Sequence, residues 1–475
     1  MKRIVIIGGG ISGLAAAHHL IERNTQDPSS LEVLLLEANA RVGGVISTQL
    51  RDGFLFEGGP DAFISEKPEA LSLVRRLGLD NHLIKTNSEH RRSFVARGNK
   101  LLPVPEGFQL LAPSRFLPFL TSEIFSWSGK ARMALDLILP RRAKANGSDD
   151  ESLASFVRRR LGQEALDRMA QPMVGGIYTA DPELLSLRAT MPRFLEMEHT
   201  HRSLLRAMWH ARRSQTKAEA SGTSGARYSL FLSFDDGMQI LVDKLVADLP
   251  TGSVRLNTRA ESIAIDSVTK RWKIRVNTSE LIDADAVCIA LPAYAAAGLL
   301  AELDPQLANE LDAIPYASTA TVNLAYRRAN VPHPLDGFGF VVPFVERRAT
   351  LACSFSSVKF SGRAPEGCVL LRAFVGGALQ PEMFALDDGA MVEAVRKDLR
   401  ELLGIEQPPL FTHLEKWPRS MAQYHVGHME RVARINARVG AFQSLQLAGN
   451  AYGGAGIPDC VRSGESAADE LFVRL

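Results

Sequence analysis

Arg3-Ile4-Val5-Ile6-Ile7-Gly8-Gly9-Gly10-Ile11-Ser12-Gly13 is the stretch that decides the fold. A short β-branched run meets a glycine turn, and Leu14-Ala15-Ala16-Ala17-His18-His19-Leu20 continues as a helix. The GxGxxG spacing has a physical reading at each position. Gly8 permits the tight turn, Gly10 lets main chain approach a pyrophosphate, and Gly13 lets the helix pack close to the sheet. Gly9, Ile11 and Ser12 carry the N–H groups that the helix start aims at phosphate oxygens. Asn24 to Ser30, with Pro28, breaks the helix, and Leu31-Glu32-Val33-Leu34-Leu35-Leu36 reads as a second buried strand tipped by Glu37. The Glu37 carboxylate suits an adenosine ribose and disfavours a 2′-phosphate. A dinucleotide-binding βαβ unit therefore opens the chain.

The residues after this unit separate NAD from FAD. Glu37-Ala38-Asn39-Ala40-Arg41-Val42-Gly43-Gly44 and Phe56-Glu57-Gly58-Gly59-Pro60 add two glycine pairs directly after the ribose-binding carboxylate. They let main chain run close to a cofactor longer than adenosine plus pyrophosphate, which favours FAD. Far downstream, Leu445 to Asn450 reads as a strand running into Tyr452-Gly453-Gly454-Ala455-Gly456-Ile457-Pro458-Asp459-Cys460, a second strand-to-helix turn suited to the flavin ring and ribitol. A closing helix is expected from Val461 to Leu475.

Between these ends the chain is ordinary globular protein. Its 475 residues are about three times a ~150-residue domain, so two or three domains are expected. Lys+Arg 55 against Asp+Glu 53 gives +2, too balanced for a nucleic-acid partner. Cys288, Cys353, Cys368 and Cys460 are scattered without metal spacing, and His199 with His201, or His425 with His428, lack a third ligand, so no metal is expected. No secretory signal fits before the first strand, and the near-apolar run Ala286 to Ala301 is too short to span a bilayer, so a cytoplasmic protein is expected. Strands are expected at Val254 to Leu256, Trp272 to Val276, Ala286 to Leu291, Thr319 to Tyr326, Gly339 to Val342 and Cys368 to Val375, and helix at Leu386 to Leu403. Polar breaks at Asn146 to Asp150 and Arg212 to Arg227 read as surface loops. Pro103 to Arg142 reads as helical, with large apolar residues among Arg115, Lys130, Arg132, Arg141 and Arg142. That mixture fits either a helix in a membrane interface or a cover with its cations outward.

The ExxxRxGG element, Glu57-Gly58-Gly59-Pro60 and the carboxy-terminal turn resemble the flavin amine-oxidase superfamily. Along essentially the whole chain the sequence is similar to the protoporphyrinogen/coproporphyrinogen oxidases of haem biosynthesis. Gly59-Pro60-Asp61-Ala62-Phe63, Phe125 to Arg132, Gly176 to Asp181, His201-Arg202-Ser203-Leu204, Gly337-Phe338-Gly339-Phe340, Gln423 to His428 and Gly456 to Cys460 carry the match. The resemblance implies an α/β fold with a discontinuous Rossmann-like, p-hydroxybenzoate-hydroxylase-like FAD-binding domain, at residues 1–90, 225–300 and 416–475. It adds an α+β substrate domain at 91–105, 191–224 and 301–415 and a helical, membrane-associating region at 106–190.

It further implies non-covalent FAD held by Gly8 to Gly13, Glu37, Ala38, Arg41, Gly44, Val45, Gly59, Pro60, Asp61, Val254, Trp417, Ala455, Gly456 and Ile457. Among substrate residues, Arg92 corresponds to an arginine that meets a propionate, Val341 and Phe374 to apolar walls of the macrocycle, and Gly176 to a glycine whose carbonyl faces the pyrroles. Gly339 belongs to the same set, and Ser354 stands where larger apolar residues are usual. The implied reaction takes six electrons from a porphyrinogen in three rounds, with O2 returning each reduced flavin and H2O2 released. Protoporphyrinogen IX, with two propionates, is the leading substrate, and coproporphyrinogen III, with four, is the alternative. The resemblance also points to peripheral contact with the inner face of the cell membrane, a haem-pathway enzyme as partner, and a homodimer. Positioning against the flavin suffices for such chemistry, so no catalytic acid or base is expected. A flavin amine oxidase is the rival reading, but such enzymes place a lysine on the strand matching Thr319 to Tyr326, which has none here. A flavoprotein that binds porphyrin without turnover is the third.

Overall fold

The computed structural model describes residues 1–24, 31–109, 112–113, 115–142, 150–214, 231–277 and 279–474. The breaks expected at Asn24 to Ser30, Asn146 to Asp150 and Arg212 to Arg227 lie largely outside them. Lys2–Ile7 pairs in parallel with Leu31–Leu36 on one side and Ala286–Ile289 on the other. Val254–Arg255 and Leu445–Leu447 complete the five strands at the two edges, also in parallel. The strands of this sheet thus come from both ends and the middle of the sequence. Continuous apolar runs fit a sheet covered on both faces. One face packs on the first helix, Ile11–Arg23, and on Ile457–Val473, through Leu14, Ala16, Leu20, Val461, Ala468 and Leu471. Gly464 lets these two helices touch, since a Cβ there would stand 2.1 Å from the Ser12 carbonyl oxygen. The final helix starts at Ile457 rather than Val461, because Pro458 in its first turn is compatible with a helix start.

The second sheet has seven strands, in the order Phe411–Ala422, Tyr316–Arg327, Cys368–Gly376, Thr350–Phe355, Gly339–Val341, Phe94–Arg97 and Lys100–Pro103. It is antiparallel except where Gly339–Val341 meets Phe94–Arg97. Asp388–Leu403 packs on one face through Met391, Val395 and Leu399 against Val322, Phe340, Cys353 and Ala373. Phe411–Ala422 is a strand that the sequence pattern conceals, because His413, Glu415 and Lys416 obscure its alternation; the boundary expected at 415/416 falls inside it.

The stretch from Pro103 to Arg142 is helical only in part. Phe108–Gln109 pairs with Ala112–Pro113, and helix begins at Phe116 (Phe116–Thr121, then Trp127–Ala134). Pro103, Pro105 and Pro113 each remove an N–H, and Gly107 turns with φ +76°. Leu153–Arg160, Gln171–Tyr178, Pro192–His201 and Leu204–Ser214 complete the layer. Ser126 caps its helix by accepting from the Gly129 N–H at 3.0 Å. A fully buried pair, Asp136 and Arg160, ties the layer together. Several cations serve the protein rather than solvent. Lys130 donates to the Leu120 carbonyl and stacks on Trp127, and Arg132 donates to the carbonyls of Arg158, Arg159 and Arg160. Leu117, Trp127 and Ile138 remain exposed. Among the described residues no helix is long and apolar enough to cross a membrane.

Candidate active site

The dinucleotide cradle forms where the first strand ends. Gly8 has φ +112°, and a Cβ there would lie 2.4 Å from the Ala290 carbonyl oxygen; a Cβ on Gly13 would lie 1.9 Å from that of Gly8. Both positions therefore require glycine. Gly10 differs, because a Cβ there would meet nothing within 4 Å. It caps Ile11–Arg23 without any side-chain bond, leaving the first-turn N–H groups facing open space, with Ile11 and Ser12 buried behind them. Gly456 caps Ile457–Val473 in the same uncapped way, with Ala455 half-buried beside it. Two uncapped helix starts, at Gly10 and Gly456, and a glycine cradle are what a pyrophosphate and a ring edge fit.

Glu37 is buried beside this cradle. Its Oε2 accepts from the Gly9 N–H at 2.8 Å, and its Oε1 accepts from the backbone and side chain of Asn39. Oε2 keeps capacity for a ribose hydroxyl. Gly9 in turn accepts from the Gly43 N–H at 2.7 Å, which draws the Val42 to Ile46 loop over the cradle. Arg41 pins that loop by donating to the carbonyls of Gly44 and Ile46, leaving Gly44 and Val45 exposed at its rim. Ala38 is half-buried at the strand tip, and Val254 lies on the neighbouring strand opposite Leu35. At the far end, the Tyr424 hydroxyl donates to the Asn450 carbonyl and accepts from the Gly454 N–H, holding the second glycine turn in place. The Tyr424 ring stacks on His428, 4.3 Å between centroids, and burial lowers the His428 pKa to about 4, so the imidazole is neutral.

The second sheet supplies the other wall. Its register lines up Val341, Ala352, Phe374, Thr321 and Glu415 in one row, and Gly339, Ser354, Arg372, Asn323 and His413 in the next. Both rows lie on the face away from Asp388–Leu403. Above that face runs Glu57-Gly58-Gly59-Pro60-Asp61. Trp417 Nε1 and Thr321 Oγ1 both donate to the Gly58 carbonyl, at 2.8 and 2.9 Å, Asn323 donates to that of Glu57, and Arg372 to that of Gly59. Further along, Gly176 closes over the same rows; a Cβ there would lie 3.9 Å from Val341 Cγ1. Its helix is fixed by the Phe344 N–H, which donates to Gln171, and by the Ala378 N–H, which donates to the Thr179 carbonyl. A π-helical turn, Leu166–Ala170, leads directly into that helix, a feature common at functional sites. Val341, Ser354 and Phe374 are only half-buried although they stand mid-sheet, on the face shared by Gly176 and the Gly58-Gly59 turn. Gly339, with φ +140° and a Cβ position 2.1 Å from the Cys353 carbonyl oxygen, shapes the wall through its backbone.

Arg92 stands apart from these residues. It is ion-paired with Asp336, its side chain is 42% exposed, and it lines a cavity of about 600 Å³ with His90, Arg91, Leu102 and Pro105 whose lining includes neither Val341 nor Phe374.

Comparison with known proteins places this geometry. A family profile described as flavin containing amine oxidoreductase matches residues 11–472. The chain belongs to that family. Its cofactor is FAD, for which the cradle and the Gly10 opening are fitted. Coproporphyrinogen III oxidase of Bacillus subtilis (strain 168) is 35% identical, covering 100% of this chain and 98% of the relative. The mitochondrial protoporphyrinogen oxidase of Nicotiana tabacum is 28% identical over 98% of this chain and 94% of its own length. A crystal structure from Exiguobacterium sp. 255-15 superposes with a TM-score of 0.87 at 29% identity, covering 100% of this chain and 99% of the other.

Sequence reasoning named Asp61 as a cofactor contact but missed the charged groups around it under the Gly58-Gly59 turn, Glu57, Lys359, Arg363 and Arg372. Glu57 accepts from Thr48 Oγ1 and the Met238 N–H, and burial pushes its carboxyl up to about 7. Burial would also raise Asp61, but Lys359, 2.9 Å away, and Arg372 hold it below the usual range. Arg363 donates to Ser233 and to the carbonyls of Phe234 and Asp235. A signal for Arg372 existed: in Cys368-Val369-Leu370-Leu371-Arg372-Ala373-Phe374 strand alternation puts it on the face of Phe374.

Proposed function

We propose that the protein is an FAD- and O2-dependent oxidase that converts a porphyrinogen to its porphyrin in three two-electron rounds, releasing H2O2. The observation that carries this reading is the half-buried mid-sheet row of Val341 and Phe374 on the face over which the Gly58-Gly59 turn runs, with Gly176 at the edge of that row. A flat macrocycle needs an apolar wall and close main-chain approach, which the Val341 and Phe374 row and the glycine turn over it can supply. Bound flavin supplies the hydride acceptor; the chain's own residues position the substrate carbon and keep water out. Gly176, Gly339, Val341, Ser354 and Phe374 are the proposed substrate contacts. Arg92 is the proposed propionate partner, and to act it would exchange Asp336 for the substrate carboxylate. The proposed FAD contacts are the cradle residues, Glu37, the Arg41 to Val45 loop, Gly59 to Asp61, Val254, Trp417 and Ala455 to Ile457.

Coproporphyrinogen III is the substrate that the higher identity to coproporphyrinogen III oxidases supports, with protoporphyrinogen IX as the second reading. Aerobic oxidation of the two side by side, following porphyrin fluorescence and H2O2, tests both. A kcat/KM at least ~10-fold higher for coproporphyrinogen III, about 1.4 kcal/mol, is expected. The reverse preference selects protoporphyrinogen IX, and failure with both by FAD-loaded protein sinks the porphyrinogen reading. We further propose that the exposed Leu117, Trp127 and Ile138 touch a membrane surface, which flotation with anionic vesicles tests against a Trp127→Ala variant. Lack of flotation by the native protein would leave the layer as a plain cover.

A further inference from the structure

Arg372 is a guanidinium in the middle of a sheet, 3% exposed. It has one hydrogen bond, to the Gly59 carbonyl, it lies over the Phe374 ring at 4.9 Å, and its Nε has no hydrogen-bond partner among the described residues. Arginine stays charged in proteins, so this is a buried positive charge held mostly by neighbours it does not touch. Around it three cations, Lys359, Arg363 and Arg372, face the carboxylates Asp61 and Glu57, with the exposed Asp235 beside Arg363. Burial works against ionisation of Glu57, which weakens it as a counter-charge for Arg372. A buried guanidinium with no carboxylate in direct contact is costly unless an anion completes it.

We propose that Arg372 compensates the negative charge that the flavin acquires on reduction, and so sets the potential at which this protein accepts electrons. The inference rests on the FAD reading. Each hydride leaves a substrate C–H bond with both bonding electrons and adds to the oxidised ring, which gains one net negative charge; the matching proton leaves a substrate N–H for water. Oxygen, taking two electrons and two protons, restores the ring as H2O2 forms. A guanidinium anchored to Gly59, in the turn that Trp417 and Thr321 also hold, favours the charged state of a ring lodged against that turn. A substrate carboxylate is a poorer match for Arg372. Carboxylates of a bound macrocycle sit at its rim, where Arg92 is exposed, whereas Arg372 is enclosed.

The test uses sulfite, whose addition to flavin gives an anionic adduct and needs no substrate. FAD-loaded protein is titrated with sulfite by bleaching of the visible band, and the two-electron midpoint potential is measured with a reference dye. Arg372→Met is expected to weaken sulfite at least ~10-fold, equivalent to a potential lower by about 30 mV. Arg372→Lys, which keeps the charge, is expected to stay within ~3-fold of the native protein. Asp61→Asn removes a negative charge and is expected to shift both readouts the opposite way. Should Arg372→Met not fold, Asp61→Asn carries the test by its sign, and unchanged sulfite affinity and potential in that variant overturn the inference. The inference is overturned if Arg372→Met holds FAD with unchanged sulfite affinity and potential, or if only the KM for porphyrinogen changes. If the native protein takes up no FAD, the cofactor reading fails instead.

Discussion

Asp136 and Arg160 in the helical layer are both fully buried, and all three Arg160 nitrogens donate, to the Asp136 carboxylate and to the carbonyls of Asp136, Leu139, Pro140 and Arg202. The Asp136 carboxylate also accepts from Ser203 Oγ and the Leu205 N–H. Under the Gly58-Gly59 turn Arg372 donates to a backbone carbonyl rather than a carboxylate, and its Nε is left without a partner among the described residues. The first arrangement is closed, with each charge answered from within. The second is open on the side where cofactor and substrate are proposed to lie. What separates structural from functional charge in this protein is therefore completeness, since both sets are buried.

That contrast can be broken at its closed end. Asp136→Ala leaves Arg160 with only Glu198, 3.5 Å away, as counter-charge and is expected to cost about 3 kcal/mol in urea unfolding, while the paired change Asp136→Leu with Arg160→Met recovers most of it. If the single variant loses under about 1 kcal/mol, the pair is not the closed element described. At the open end, the raised pKa of Glu57 means that its contribution is intact below the unfolded value of 4.5 and is lost as pH rises through about 7. Glu57→Gln should therefore be more stable than the native protein near pH 8 by about 3 kcal/mol, with the difference vanishing towards pH 4.5. A pH-independent difference would assign the effect to packing. Where the two regions meet, Gly176→Leu should extend over the Val341 row and lower kcat/KM at least ~100-fold, about 2.7 kcal/mol, with FAD uptake unchanged. Retained activity would move the substrate elsewhere. The smallest effect is Ser126→Ala, which removes a cap in the closed layer and should cost about 1 kcal/mol in thermal or urea unfolding.

Local chemistry explains which parts were legible in the sequence. The β-branched run, the glycine spacing and Glu37 define the first βαβ unit within forty residues, and each acts on a near neighbour. The strands Trp272–Val276 and Cys368–Gly376 are apparent from alternation and apolar runs. The helical reading of 103–142 holds only from Phe116, because Pro103, Pro105 and Pro113 break the segment before it despite its apolar content. Phe411–Ala422 and the charges around Arg372 were hidden for a different reason. Their roles depend on partners such as Gly59, 313 residues away from Arg372 in sequence, and no local pattern records such a distance.

Gly464 against Ser12, and Leu445–Leu447 at the sheet edge, have a consequence for how the molecule is made. On a ribosome adding about 5–20 residues each second, the first strand waits roughly 20 to 90 s for the last one to be synthesised. During that interval the nascent chain offers an unfinished sheet with one apolar edge bare. Cofactor capture is then expected after translation ends, and limiting FAD in the growth medium should leave a full-length, protease-sensitive apoprotein.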